Sequence, residues 1–328
     1  MKKLLAITLA LVLFLAACSL ESPLKNDKNG KTNKKKSEIT IGVSISTLNN
    51  PFFVKIKNGI EKDAKAQGMK VKVVDARDDS AKQTNDIEDL IQQQVDYLIV
   101  NPTDSSAISS AVESANNEGI PVITLDRSVD KGDVASFIAS DNVEGGKMAG
   151  KYLVDKVGKN AKVGELEGVP GASATRERGK GFHEIADKQL KVIAKQSAKF
   201  DRAEGLNVTQ NMLEAHPNIK AIFAQNDEMA LGAIEAIGDK DIQVIGFDGN
   251  EDAMKSIKNG KLDATIAQQP ELMGKEAIKV VNGLMKGDSV NKQIKVPLKL
   301  KQKSSPDSCV KCYTMFLPFL LIKIDVFS

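Results

Sequence analysis

The sequence has no tryptophan, only two histidines (His183 and His216) and three cysteines (Cys18, Cys309 and Cys312) in 328 residues. A histidine-rich metal centre and a disulfide-dense scaffold are therefore out of reach. Aromatic residues make up 4%, so any ring stacking on a ligand falls to phenylalanine. A charge excess is missing too. The 46 basic and 43 acidic side chains leave a formal +3, too weak a field to gather nucleic acid. The catalytic signatures GxxxxGK(S/T), HExxH and GxSxG are absent, as is GxGxxG after a strand. Gly145-Gly146-Lys147-Met148 lacks the leading glycine and the hydroxyl of a phosphate loop. No cofactor and no metal is expected, and the chain reads as non-enzymatic. What is present, 41% hydrophobic and 27% charged residues, is the make-up of a folded protein with one large or two ordinary domains.

The N-terminus reads as an export address. Met1-Lys2-Lys3 is a short basic region, and Leu4 to Ala17 is an apolar run too short to span a bilayer. Leu15-Ala16-Ala17-Cys18 resembles a bacterial lipobox. On that reading residues 1–17 are a signal peptide, Cys18 carries the lipid, and the protein is held at the extracytoplasmic face of the cell membrane. Residues 18–38, rich in Lys, Asn and Ser and without periodicity, read as a flexible tether.

From Ile39 short β-branched runs alternate with amphipathic ones, the pattern of parallel βαβ units. Strands are predicted at 39–44, 71–75, 97–100 and 121–125, with helices at 52–67, 81–94 and 105–117 between them. The same grammar then repeats, with strands at 161–166, 190–195, 221–224 and 243–247 and helices at 174–187, 205–215 and 228–237. Later come a strand at 262–268, a helix at 274–286 and a strand at 294–300. Two similar α/β halves thus present polar residues just past strand C-termini, where open parallel sheets bind ligands. Two such edges facing each other make a cleft.

The residues at those edges share one chemistry. Asn49-Asn50-Pro51-Phe52-Phe53 sets amides and rings at a strand-to-helix switch, and Asp126-Arg127 sets opposite charges at a strand end. Arg176-Glu177-Arg178 opens a helix, while Asn226, Asp248 and Gln268 follow strands. Carboxylates, guanidinium groups and amides suit vicinal hydroxyls, and rings suit an apolar C–H face; sugars present both. Either histidine reads as structural or solvated: His183 lies within a helix and His216 precedes Pro217.

The segments Ser46-Thr47-Leu48-Asn49-Asn50-Pro51-Phe52-Phe53, Thr124-Leu125-Asp126-Arg127, Ala174-Thr175-Arg176-Glu177-Arg178-Gly179, Phe200-Asp201-Arg202, Gln225-Asn226-Asp227-Glu228-Met229-Ala230, Gly246-Phe247-Asp248-Gly249 and Ala264-Thr265-Ile266-Ala267-Gln268 resemble the D-ribose-binding receptors of bacterial ABC importers, of the periplasmic binding protein-like I family. The resemblance runs from residue 39 to about 300. It implies two Rossmann-like lobes with parallel sheets, joined by a three-segment hinge that crosses near Ser140, Gln268 and Val296. The N-terminal lobe would comprise 39–139 with 269–296, and the C-terminal lobe 140–268 with 297–300. By position, the implied ligand residues are Ser46, Asn50, Phe52, Phe53, Asp126, Arg127, Arg176, Phe200, Asn226, Asp248 and Gln268. The implied ligand is a pyranose sugar, D-ribose foremost. Implied partners are the importer's membrane subunits and a chemoreceptor, with the receptor itself a monomer.

Other ligands of the same fold, another pentose, a hexose or a furanosyl signalling molecule, stay open. A sugar-sensing transcription regulator would need a DNA-binding module where the lipobox and tether stand. A cleft enzyme would lack a nucleophile beside Asp126 and Asp248. Residues 301–328 depart from the family pattern, with Cys309-Val310-Lys311-Cys312 and an interrupted apolar run from Met315 to Phe327. They read as an atypical, frameshift-like tail; two cysteines are half a metal site.

Overall fold

The computed structural model describes residues 32–303. Cys18, the signal segment, Cys309 and Cys312 lie outside the described residues, as does most of the atypical tail.

Six strands build the first sheet: β1 (Thr40–Ile45), β2 (Lys70–Asp75), β3 (Tyr97–Val100), β4 (Val122–Leu125), β5 (Ser136–Ser140) and β11 (Gln293–Val296), in the order β11-β5-β4-β3-β1-β2. A second six-stranded sheet holds β6 (Lys162–Glu167), β7 (Lys191–Ser197), β8 (Ala221–Ala224), β9 (Gln243–Asp248), β10 (Ala264–Ala267) and β12 (Lys299–Gln302), in the order β12-β10-β9-β8-β6-β7. The two orders match strand for strand. All pairs are parallel except β10 with β12. Strands β1, β3, β4 and β8 are buried almost throughout, and their segments TIGVSI, YLIV, VITL and AIFA are mostly apolar to match.

Helices α1 (Pro51–Ala66), α2 (Ser80–Gln92), α3 (Ser109–Asn117) and α9 (Pro270–Lys286) pack on the first sheet. Helices α4 (Asn142–Val157), α5 (Ser173–Gln189), α6 (Arg202–Ala215), α7 (Asp227–Ile237) and α8 (Glu251–Lys258) belong to the second. Side-chain caps start many of them: Asn50, Asp79, Asp141, Asp201 and Asn226 each accept a backbone N–H of the first turn. The chain passes between the sheets after Ser140, after Ala267 and between Val296 and Lys299.

Several sequence expectations change. The strand expected at 294–300 is two strands in different sheets, parted at Pro297-Leu298, because proline cannot donate to a ladder. Its second half, β12, runs to Gln302, two residues into the segment read as tail. Helix α3 starts at Ser109 rather than 105. Strand β5 and helix α4 had no counterpart among the expected elements. At the other end, residues 34–38 are docked, not free tether. Lys34 Nζ meets the buried Asp96 carboxylate at 2.6 Å, Asp96 also accepts the Thr40 N–H at 2.8 Å, and Lys36–Glu38 form a 3-10 turn. A buried carboxylate needs such partners, and Lys34 supplies a charged one.

Candidate functional site

The two sheets face each other across a narrow cavity. Its lining is Asn50, Phe52, Phe53, Asp126 and Arg127 from the first lobe, and Ala174, Arg178, Phe200, Asn226 and Asp248 from the second.

Local structure places each one. Asn50 caps α1, its Oδ1 accepting the Phe52 N–H at 2.9 Å, which puts both phenylalanines in the first turn at the cavity floor. Asn226 caps α7 in the same way and donates to the Phe200 carbonyl at 3.2 Å. Asp126 directly follows β4 and Asp248 ends β9. Asp126, Phe200 and Asp248 have φ of +63°, +62° and +125°, the left-handed region that residues other than glycine rarely enter. Such strain costs about 1–3 kcal/mol per residue and persists where surrounding bonds fix it. Here Asp126 N–H donates to the Ile138 carbonyl at 2.9 Å, and the Asp248 carbonyl accepts Gln268 N–H at 2.9 Å.

Four charged groups converge. Arg178 sits 3% exposed, with Nη2 3.9 Å from Asp126 and Nη1 3.8 Å from Asp248, and so bridges carboxylates of both lobes. Its Nε donates to Asn142 Oδ1 at 2.9 Å and Nη1 to the Gln225 carbonyl at 2.6 Å, while its guanidinium stacks 3.9 Å over Phe247. Arg127 lies 5.0 Å from the Phe53 ring centroid and 5.3 Å from that of Phe200, and donates to the Pro102 carbonyl at 2.9 Å. Burial raises Asp126 and Asp248 above ordinary carboxylate values, Arg178 opposing it in both. Burial lowers Arg127, with Asp126 opposing. Asp126 Oδ1 and Arg127 Nε have no hydrogen-bond partner. Buried polar atoms are nearly always paired, so one open acceptor and one open donor side by side mark a place for a ligand that offers both.

Eight of the eleven expected ligand residues line this cavity. Ser46 stands behind it, donating to Asn101 Oδ1 at 2.6 Å. Gln268 donates to Asp248 Oδ1 at 2.8 Å and borders a neighbouring groove instead. Arg176 does not enter the cavity: it is 47% exposed and paired with Asp130. The arginine inside is Arg178. The reason is helical: residues 174 and 178 share a face of α5, whereas 176 lies about 200° round from 174. Position within the helix is the available signal, and the carry-over of Arg176 by family resemblance does not weigh it. Helix α4 completes the support of Arg178. A Cβ at Gly146 would overlap the Arg178 carbonyl, so α4 and α5 meet backbone to backbone and Asn142 reaches the guanidinium.

The model of the periplasmic binding protein domain matches residues 41–289. The chain belongs to that family. Among its relatives is the ribose import binding protein RbsB of Bacillus subtilis (strain 168), 62% identical over 304 residues, which cover 92% of this chain and 99% of that one. The ribose import binding protein RbsB of Haemophilus influenzae is 48% identical over 303 residues, with 92% and 99% covered. Among solved structures, the Caulobacter myo-inositol binding protein bound to myo-inositol is 31% identical with a TM-score of 0.77, covering 83% of this chain and 95% of that chain. The fold is the two-lobed α/β architecture of these sugar-binding proteins.

Proposed function

We propose that this chain is a non-catalytic receptor that captures D-ribose, as the pyranose, by hinge closure and delivers it to an ABC importer. The observation that carries the reading is the open pair in the cavity wall, Asp126 Oδ1 and Arg127 Nε. Each hydroxyl of a sugar both donates and accepts, so two neighbouring hydroxyls complete the pair. Hydroxyl donation to Asp126 also favours its ionised form, against the burial that raises it. Phe53 and Phe200, from opposite lobes, offer apolar faces to the ring carbons. The lining contains amides, rings, carboxylates and guanidinium groups but no hydroxyl, thiol or imidazole, which favours a receptor over a cleft enzyme.

Affinity follows from these groups. A buried hydrogen bond to a charged group contributes about 1.5–3 kcal/mol, and several act at once on one small ligand. An analogue lacking a contacted hydroxyl leaves a buried charge unpaired and loses about 10⁴-fold. Because Asp126 and Arg127 belong to one lobe and Arg178, Asn226 and Asp248 to the other, only the closed form makes all contacts, so sugar shifts the population toward closure.

The relatives named for ribose import support the choice of sugar, and the myo-inositol neighbour keeps a second cyclic polyol in view. Export and lipid attachment at Cys18 complete the proposal, on Leu15-Ala16-Ala17-Cys18. Palmitate labelling that persists after Cys18→Ser would remove that part. The main test is isothermal titration of the full chain with D-ribose, and with xylose, galactose and glucose as controls. A saturable one-to-one signal for ribose alone is expected. A folded protein silent to ribose removes the ligand and leaves the fold.

A further inference from the structure

The lobes also meet outside the cavity, along a rim that carries both signs of charge. Arg176, from the second lobe, donates from Nη1 to the Gly171 carbonyl at 2.9 Å and from Nη2 to Asp130 Oδ1 of the first lobe at 3.3 Å. That same Gly171 carbonyl accepts the Ser105 N–H across the lobes at 3.0 Å. Two more crossings flank it: Ser173 N–H to Ser105 Oγ at 3.2 Å, and Ser128 N–H to Ser173 Oγ at 2.9 Å. Elsewhere on the rim, Lys55 Nζ of α1 stands 3.2 Å from Glu251 Oε1, at the start of α8 in the opposite lobe. None of these four charged residues lines the ligand cavity.

We propose that Arg176–Asp130 and Lys55–Glu251 form an electrostatic latch, made only when the lobes close, which raises affinity for an uncharged ligand without touching it. Each pair joins the two lobes, so opening the hinge separates its members. Any contact present only in the closed state raises the fraction of receptor that is binding-competent, and apparent affinity rises by the same factor. The pairs are also exposed: Arg176, Asp130, Lys55 and Glu251 side chains are 47%, 45%, 29% and 75% accessible. Exposed pairs are weak and screened by salt, whereas the buried cavity charges are screened much less. Because a neutral sugar brings no charge of its own, the latch shows itself as a difference in salt response between the protein and its rim variants.

The latch rests on the sugar-receptor reading, and the test separates the two. D-Ribose is titrated into the full chain, Arg176→Glu, Asp130→Lys and the double variant, at about 20 mM and about 500 mM NaCl, well below and above physiological screening. At low salt each single variant is expected to bind about 2–5-fold more weakly. The double variant regains the loss, because the pair is restored with its signs exchanged. At high salt all four proteins converge. Single variants equal to the parent at low salt, or a double variant no better than the singles, overturn the latch. A loss beyond about 100-fold at both salt levels does so too, since it means Arg176 holds the sugar. If the parent protein shows no ribose signal, the choice of ligand fails, and the latch is read by X-ray scattering of the unliganded chain. A larger radius of gyration at high salt, abolished in Arg176→Glu, supports it; identical radii overturn it.

Discussion

The two lobes meet the sugar cavity in different states of readiness. The second is wired internally: Arg178 is held by Asn142 and Gln225, Asn226 by Met229 and Phe200, Asp248 by Gln268. The first lobe leaves Asp126 Oδ1 and Arg127 Nε without a hydrogen-bond partner, each held only by an ion pair, at 3.9 Å to Arg178 and 3.7 Å to Asp126 Oδ2. One half of the site is thus a preorganised jaw, and the other carries unsatisfied groups that the ligand completes. A group without a partner costs free energy in the closed form without ligand and returns it on binding, which couples capture to closure.

Breaking the wired half should cost most. Arg178→Ala removes the bridge between Asp126 and Asp248 and leaves Asn142 and Gln225 without their donor. Ribose affinity is expected to fall by more than about 10³-fold, and unfolding stability in urea by about 3–5 kcal/mol. Breaking the open half should separate these readouts. Asp126→Ala is expected to lose about 10³-fold in affinity while unfolding stability holds or rises, since the lost carboxylate was buried and incompletely paired. Equal stability losses in the two variants would erase the distinction between the lobes.

A smaller effect is expected at the contact between them. A Cβ at Gly171 would collide with the Asp104 carboxylate of the first lobe, which is held by the N–H groups of Ser106 and Ala107. Gly171→Val is expected to weaken ribose binding by about 10–100-fold, an overpacking cost confined to the closed state. Its melting temperature without sugar should match the parent. A matching affinity would mean the lobes close differently.

The smallest effect lies in the second lobe at a residue that does not line the cavity. His183 Nε2 pairs with buried Glu165 at 2.9 Å and Nδ1 with Asp187 at 2.7 Å, and the bond to Glu165 foremost raises its pKa to about 9. A raised value gives stability that is full below about 6.5 and lost as pH climbs through 9. About 1 kcal/mol is expected after solvent screening. Denaturation of the parent and of His183→Gln across pH 6 to 10 checks it, with a flatter profile in the variant.

The asymmetry between the lobes also explains what the sequence revealed. The first lobe's site residues follow strand ends or open a helix, so Asn50, Phe52, Phe53, Asp126 and Arg127 could be named from position. Arg178 lies a full turn inside α5, where only the helical face decides, and the carry-over by family resemblance names Arg176 instead. Strand β5 is the counterpart of β10, yet it follows β4 through a loop with no helix between, so the repeat spacing hid it. Its partner β11 comes some 150 residues later, a pairing that local pattern does not carry. Helix α4 was obscured by Gly145, Gly146 and Gly150, which lower helix propensity but allow close packing on α5.

The most direct test of the account is D-ribose titration of Arg176→Ala and Arg178→Ala side by side with the parent. The expected result is one-to-one binding by the parent, a few-fold loss in Arg176→Ala, and no measurable binding in Arg178→Ala. Abolished binding in Arg176→Ala with retained binding in Arg178→Ala would contradict the assignment of the site.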